Sequence, residues 1–545
     1  MMKFKLLLLF ICDAISLYGI NADDPTLVTL PEGQIRGRSL KSPDDNVYYA
    51  FQEIPYAVPP VGKLRFKAPV AAEKWKGVLN TTENTKICYQ GGSHRDVRAT
   101  KQTEDCLYLN VYTPVPPGSA NETLPVLIWI HGGSFLTGAG ILQDYNPEWF
   151  IDHKVIVVTI NYRLGALGFL TTEDGVIPGN LGLRDQHFAI QWVKNHIKLF
   201  GGDPEKITIS GESAGATSVG FQLISKRNKG LFRGAILQSS ATLSQRLHQD
   251  YARFYAFELG KSLDPNFTSN DSKQLLELLQ KASAAEISVN KIFPAPGKER
   301  SLVEGDGLIW LPVIEDENLD EAFITGLLHE NVRTGNINRS ICISDASIPE
   351  KRAKYFDGDL SNLIRNKYNM TKENKLTAGR KLRGVYTDGT FEDELGAVVK
   401  FFSDESFTTP IIRHAKLQSN YSDVYLYQFS YKGKLGGQMG VEVAGVKGVG
   451  HAEDVAYLWG KRTDEKEDDR TRHRLLTMWS NFVKYLNPTP EEDDFLDNAI
   501  WKKVAPNDLV YLNIDSTLDM RENPRKYIEW EKIVDVYAIP PLENY

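Results

Sequence analysis

The chain is short of several things, and each shortage excludes something. Cysteine occurs only four times in 545 residues, so this is not a scaffold built on disulfides and it must rest on an apolar core. Basic residues do not exceed acidic ones. The 63 Lys and Arg against 70 Asp and Glu give a formal net charge of −7, spread along the chain with no basic stripe. Nucleic acid is therefore not an expected partner, and acidity of this size reads as solubility. Beyond the first residues, no segment has the roughly 18 uninterrupted apolar residues that a membrane helix requires. Internal repeats, low-complexity tracts and linkers are also missing, so nothing cuts the chain into separate folding units.

What is present begins at the N-terminus. Lys3 and Lys5 precede an apolar run from Leu6 to Cys12, and small or neutral residues follow to Ala22, ahead of Asp23-Asp24. A charged start, a core too brief to span a bilayer and a small-residue cleavage point predict a secretory leader over 1–22, with the working domain over 23–545. The end, Pro541-Leu-Glu-Asn-Tyr545, reads as neither a retention tetrapeptide nor a lipid-anchor tail. A secreted, soluble protein without a membrane anchor is expected. Seven Asn-X-Ser/Thr sites, at Asn80, Asn121, Asn266, Asn270, Asn338, Asn369 and Asn420, agree with export and glycosylation. Cys12 would leave with the leader. Cys88 and Cys106 are near enough to close a short loop in an oxidising compartment, which leaves Cys342 as a buried, unpaired residue in a strand.

Strand-like runs alternate with helix-like stretches. Val126–Ile130 and Val155–Ile160 are nearly all apolar and rich in β-branched residues, as suits strands buried on both faces. Asp185 to Phe200 carries apolar residues at helical spacing, Gly201-Gly202-Asp203-Pro204 ends it, and Lys206–Ile209 reads as the next strand. Ala235–Leu237, Ile341–Ile343 and Val424–Tyr427 are further strand candidates. The polar, helix-prone stretches near 245–330 and 350–400 read as excursions over the sheet that wall a substrate site. The expected class is α/β, in one catalytic unit.

Gly211-Glu-Ser-Ala-Gly215 follows a strand and precedes a stretch able to be helical. A serine on a sharp strand-to-helix turn is strained, and the turn is tolerable only where the flanking positions lack side chains. The turn exposes the Ser213 hydroxyl and puts the Ala214 N–H at a helix start, where it can stabilise an oxyanion. His131-Gly-Gly-Ser-Phe135 directly follows the strand 126–130, where esterases place their second oxyanion segment. Two such motifs in the right order point to acyl transfer.

Around these motifs the chain resembles the type-B carboxylesterase family, α/β-hydrolases that include cholinesterases and insect esterases. The resemblance runs through Ile54-Pro-Tyr-Ala57, Pro59-Pro60, Leu64-Arg-Phe66, Glu104-Asp-Cys-Leu-Tyr-Leu-Asn110, Asn161-Tyr-Arg163, Gly179–Gln186 and Phe200-Gly-Gly-Asp-Pro204. It implies a large, mostly parallel sheet flanked by helices, buried ion pairs Arg65–Glu104 and Arg163–Asp185, and a Cys88–Cys106 disulfide. It also implies backbone oxyanion donors at Gly133, Ser134 and Ala214. Position 134 is usually Gly or Ala, so the extra hydroxymethyl group should narrow the acyl side or hydrogen-bond there.

The fold's order is serine, acid, histidine. His451 stands in Gly448-Val-Gly-His-Ala-Glu-Asp454, a small-residue loop after a strand, and is the expected base. His248, His329, His414 and His473 lie in polar, helix-like surroundings and are expected at the surface. Counting along the family's Ser-x-x-Glu-Gly pattern places Glu350 as the acid, with Asp345 the alternative. Lys351, where the glycine should be, and Pro349 depart from that pattern.

A tryptophan in the first disulfide loop holds choline in cholinesterases, and 89–105 here contains none. Juvenile hormone esterases carry Gln where this chain has Glu212, and 238–246 lacks the tryptophan of many relatives. The expected activity is that of a secreted carboxylesterase acting on small-to-medium apolar esters, such as xenobiotics, odorants or pheromones. No metal or organic cofactor is implied. The rival readings are a binding or adhesion protein on the same fold, as some relatives are, and an interfacial lipase with a lid.

Overall fold

The structure, a computed structural model, describes residues 24–90, 100–119, 123–244, 251–289, 309–319, 322–325, 336–339, 348–364, 368–436, 445–446 and 448–539. Its centre is an eleven-stranded sheet. In chain order the strands are β1 Arg38–Lys41, β2 Val47–Pro55, β3 Tyr108–Thr113, β4 Leu124–Ile130, β5 Ile156–Ile160, β6 Gly202–Glu212, β7 Gly234–Gln238, β8 Asn336–Arg339, β9 Leu426–Phe429, β10 Val510–Ile514 and β11 Leu518–Glu522. They lie in the order β11-β10-β9-β8-β7-β6-β4-β5-β3-β2-β1. The seven from β10 to β5 are parallel, and antiparallel strands close both edges.

The strand sequences explain the layering. Period-two alternation sends Val126, Ile128 and Ile130 of β4 into one core and Leu127 and Trp129 into the other. The first core is closed by helix α1, Leu181–His196, through Ile190 and Val193, and by α2, Ala214–Ile224, through Val219 and Phe221. The second is closed by α3, Lys466–Tyr485, through Leu475, Leu476, Trp479 and Val483. Each such side chain removed from water stabilises the fold by about 1.5–3 kcal/mol. The expected helix from Asp185 thus begins one turn earlier, and the expected strand Val424–Tyr427 forms two residues later. The expected strand Ile341–Ile343, with Cys342, lies outside the described residues, as do the expected leader 1–22, His248 and His329.

Among the described residues, much of the long excursions is helical. Helices Ala252–Leu263, Ser272–Lys281 and Ala284–Val289 pack on Leu167, Leu170 and Leu181. Further on, Ile348–Gly358, Lys372–Tyr386, Leu395–Ser403 and Tyr527–Tyr537 enclose a separate core of Phe356, Leu382, Phe401 and Trp530. Asn80, Asn266, Asn270, Asn369 and Asn420 are exposed, Asn121 lies outside the described residues, and Asn338 sits in β8, a strand paired on both sides.

Cys88 and Cys106 are bonded, with their Cα atoms 5.0 Å apart. Both expected ion pairs form. Arg65 grips Glu104 with two bonds of 2.6 Å and donates to the carbonyl oxygens of Leu279 and Ala282. Arg163 grips Asp185 of α1 through Nε at 2.7 Å and Nη2 at 2.6 Å, and its backbone N–H adds a third bond at 3.1 Å. Burial drives the Asp185 carboxyl upward and the guanidinium pulls it back. Removing one partner leaves an uncompensated charge in the core. Asp185→Ala should therefore lose about 3–5 kcal/mol, read as a lowered urea midpoint.

Candidate active site

The strand order reverses where β4 has β5 on one side and β6 on the other, and in open α/β sheets ligands bind outside the carboxyl ends of the strands at such a point. Both glycine-bearing motifs, His131–Phe135 and Gly211–Gly215, lie at the carboxyl ends of β4 and β6. Ser213 follows β6 directly, with φ 57° and ψ −122°, and α2 begins at the next residue. Its N–H donates to the Gln238 carbonyl at 2.8 Å, and its own carbonyl accepts from Thr217 N–H at 3.0 Å. The flanking glycines are required by space. A Cβ on Gly211 would lie 2.6 Å from the Ile130 carbonyl oxygen, and one on Gly215 would collide with that same oxygen.

From β4 the chain enters His131–Phe135 with three successive positive φ values, 105° at Gly133, 58° at Ser134 and 61° at Phe135. Leu136 and Thr137 N–H groups return to the Gly133 carbonyl at 2.9 and 3.0 Å. This turn brings Gly132 so close that a Cβ there would stand 3.1 Å from Ser213 Cβ and 2.5 Å from the Glu212 carbonyl oxygen. His131 supports the turn from below. Its ring stacks on Tyr162 at 4.4 Å, its Nδ1 meets the Gly132 carbonyl at 2.8 Å, and Tyr162 OH donates to the His131 carbonyl. Burial lowers the imidazole to about 4, so it stays neutral.

His451 is brought to the same place by the loop after β9. Its Nε2 lies 3.1 Å from Oε1 of Glu212, the residue next to Ser213, and its ring packs 5.3 Å from Phe407. Phe407 belongs to a π-helical turn, Asp404–Thr408, inserted in an otherwise α-helical run, a distortion that recurs at functional sites. Three residues beyond the histidine, Asp454 is buried and accepts from Gln238 Nε2 at 3.0 Å and Tyr427 OH at 2.9 Å. Gln238 therefore holds the Ser213 turn by its carbonyl and the His451 loop by its side chain. Glu212 is raised well above the carboxylate range by burial and then by the charge of Asp454.

The two acid candidates are placed differently. Glu350 is exposed in the first turn of helix Ile348–Gly358, and Asp345 lies outside the described residues. The expectation that His414 is a surface residue is corrected. It is fully buried in helix Thr409–Gln418, among Ile411, Ile412 and Ala415, and burial lowers it to about 3. The charged Arg413 and Lys416 beside it made the segment look solvated. His473 is partly exposed on α3. Gln238, Phe407, Tyr427 and Asp454 were not singled out from sequence, although Gln238 and Asp454 each lie within a few residues of a motif.

Chemically, the corner offers a half-buried hydroxyl on a strained turn, a glycine turn packed against it and a nearby imidazole, parts from which a covalent acyl-transfer site is built. A model of the carboxylesterase family matches residues 24–528. Venom carboxylesterase-6 of Apis mellifera is 29% identical over 519 residues, 87% of each chain. Neuroligin-2 of Mus musculus is 30% identical over 595 residues, covering 95% of this chain and 68% of its own. The juvenile hormone esterase of Manduca sexta, solved with OTFP covalently attached, matches 94% of this chain and 100% of its own with a TM-score of 0.78 at 24% identity. The fold is that of an α/β-hydrolase. Since a side chain at Gly132 must push the oxyanion turn away from Ser213, Gly132→Ala should cut kcat for a p-nitrophenyl ester by about 10²-fold or more with KM little changed.

Proposed function

The chain belongs to the carboxylesterase family, and from that premise we propose that it is a secreted serine esterase of small-to-medium apolar carboxylic esters. The observation that carries this reading is the approach of Gly132 to Ser213, so close that a Cβ on Gly132 would stand 3.1 Å from Ser213 Cβ, which brings the two motifs to one corner. In the proposed cycle His451 takes the Ser213 proton, the alkoxide attacks the ester carbonyl, and the N–H groups of Gly133, Ser134 and Ala214 hold the oxyanion. The alcohol then leaves with the proton, and water cleaves the acyl-enzyme by the same route. Base assistance is worth about 10²–10⁴-fold and each oxyanion donor about 3–4 kcal/mol. The acid that orients His451 is assigned to Glu350, with Asp345 the alternative. The cycle calls on no cofactor.

Apolar esters suit Phe407, which lays a ring beside His451, and the loop 89–105 offers no tryptophan for a cationic alcohol. Xenobiotic, odorant or pheromone esters are the class this fits. Secretion is supported by the leader-like N-terminus, the Cys88–Cys106 bond and the exposed acceptor asparagines. No helix among the described residues is long and apolar enough to cross a membrane. The likeness to neuroligin-2 is compatible with a second reading, a protein of this fold that only binds. Intact Ser213, the oxyanion turn and His451 favour turnover over that reading.

Incubation with a short-chain p-nitrophenyl ester should give nitrophenolate release by the parent and none above background by Ser213→Ala. Glu350→Gln is then expected to lower kcat by orders of magnitude while Asp345→Asn leaves it within a few-fold; the reverse pattern moves the acid to Asp345. A folded parent that releases nothing at any acyl length sinks the esterase reading in favour of binding.

A further inference from the structure

Three buried carboxylates gather at the His451 loop, Glu212 facing the ring and Glu453 and Asp454 on the loop itself, and their surroundings differ. Asp454 Oδ2 receives hydrogen bonds from Gln238 Nε2 and Tyr427 OH, bonds of the kind that stabilise an anion. Burial still raises it, but those two bonds pull back. Glu212 has no comparable support. Its Oε1 is buried without a hydrogen bond from the described residues, while His451 Nε2 faces it at 3.1 Å. Among the described residues, the other groups acting on this pair are Glu453, which is buried, raised by burial and accepts from the Gly450 N–H, and the two tyrosines Tyr162 and Tyr427. Both hydroxyls are kept protonated by burial, and neutral His131 stacks behind Tyr162. Between Glu212 and Asp454, the negative charge therefore settles on Asp454, where donors meet it.

We propose that Glu212 is a positioning residue, neutral in the resting enzyme, whose O–H donates to His451 Nε2 while Asp454 carries the charge. This rests on His451 being the base of the esterase cycle. An imidazole that accepts a hydrogen bond at Nε2 keeps its own proton on Nδ1. That is the tautomer able to take the Ser213 proton at Nε2 once substrate turns the ring from one O–H donor to the other, and no proton is gained or lost in the exchange. An ionised Glu212 would do the opposite. It would hold His451 as an imidazolium, which is no base. Asp454, by repulsion, prevents that ionisation. The recognition device is a proton held on a buried carboxyl one residue from the nucleophile.

The test is kcat/KM against pH for p-nitrophenyl butyrate. The base works unprotonated, so activity is lost as pH falls through its acid limb. Asp454→Asn removes the repelling charge, Glu212 ionises, the imidazolium is stabilised, and the acid limb should move to higher pH by about one unit. Glu212→Gln keeps a donor that cannot ionise, so its limb should stay where the parent's is, and the double variant, with neither carboxylate, should lose the upward shift of Asp454→Asn and lie at or below the parent's limb. Glu212→Leu, without a donor, should have a plateau about tenfold below that of Glu212→Gln. A limb that falls in Glu212→Gln, or fails to rise in a folded Asp454→Asn, overturns the proposal. So does an equal plateau in Gln and Leu. If Asp454→Asn does not fold, the two Glu212 variants decide it. The His451 ring titration, followed by NMR with His451→Gln for assignment, reads the same shifts without turnover. A chain that hydrolyses nothing would then fail the esterase reading while this proposal is still judged on its own.

Discussion

Backbone must meet backbone where β4 and β6 end, and the chemistry follows from that contact. The carbonyl oxygen of Ile130 occupies the space that a side chain at Gly211 or Gly215 would fill, and Gly132 lies against the Glu212 carbonyl in the same way. Only because these positions lack side chains can the elbow and the oxyanion turn share one corner. The strain is real: Ser213, Ser134 and Phe135 all hold positive φ, at a cost of about 1–3 kcal/mol each. Such conformations persist because the surroundings over-determine them, here through the Ser213–Gln238 bond, the return bonds onto Gly133 and the Tyr162 support under His131.

Gln238 is the joint between the two halves of the site. One residue at the end of β7 holds the nucleophile turn through its backbone and Asp454 through its side chain. Trp479 from α3 lies 3.4 Å from its Oε1. The imidazole, the serine and the sheet are thus referred to one point, and a network of buried polar groups of this sort sets geometry more sharply than apolar packing does. The two buried ion pairs do a similar service for the loops. Arg163 ties the turn after β5 to α1, and Arg65 ties the disulfide segment to the helices around 279–282.

What could be read from the sequence was what local backbone geometry forces. Ser213, the Gly132-Gly133 turn and the strands feeding them announce themselves because only glycine fits and only apolar β-branched runs fill a two-sided sheet. His451 was legible by its loop of small residues. The residues that act across the fold were not. Phe407, Tyr427 and Asp454 are ordinary letters until the chain closes, and His414 looked solvated because its charged neighbours point elsewhere on the same helix. The acid was the hardest to place, since Lys351 and Pro349 break the spacing that would have marked it, and Glu350 opens a helix as an exposed residue.

The π-helical turn at Asp404–Thr408 makes the site sensitive to chain length. It joins Leu395–Ser403 to Thr409–Gln418 as one continuous helical rod, and its residues are buried along with both neighbours. An α-helix turns through about 100° per residue. Deleting one residue here would straighten the rod and rotate one half against the other by that amount. Either Phe407 would leave the imidazole or the buried face of Ile411, Ile412 and Ala415 would leave its core. Insertions and deletions at this turn are therefore coupled to what the site accepts, and the two cannot drift independently during descent.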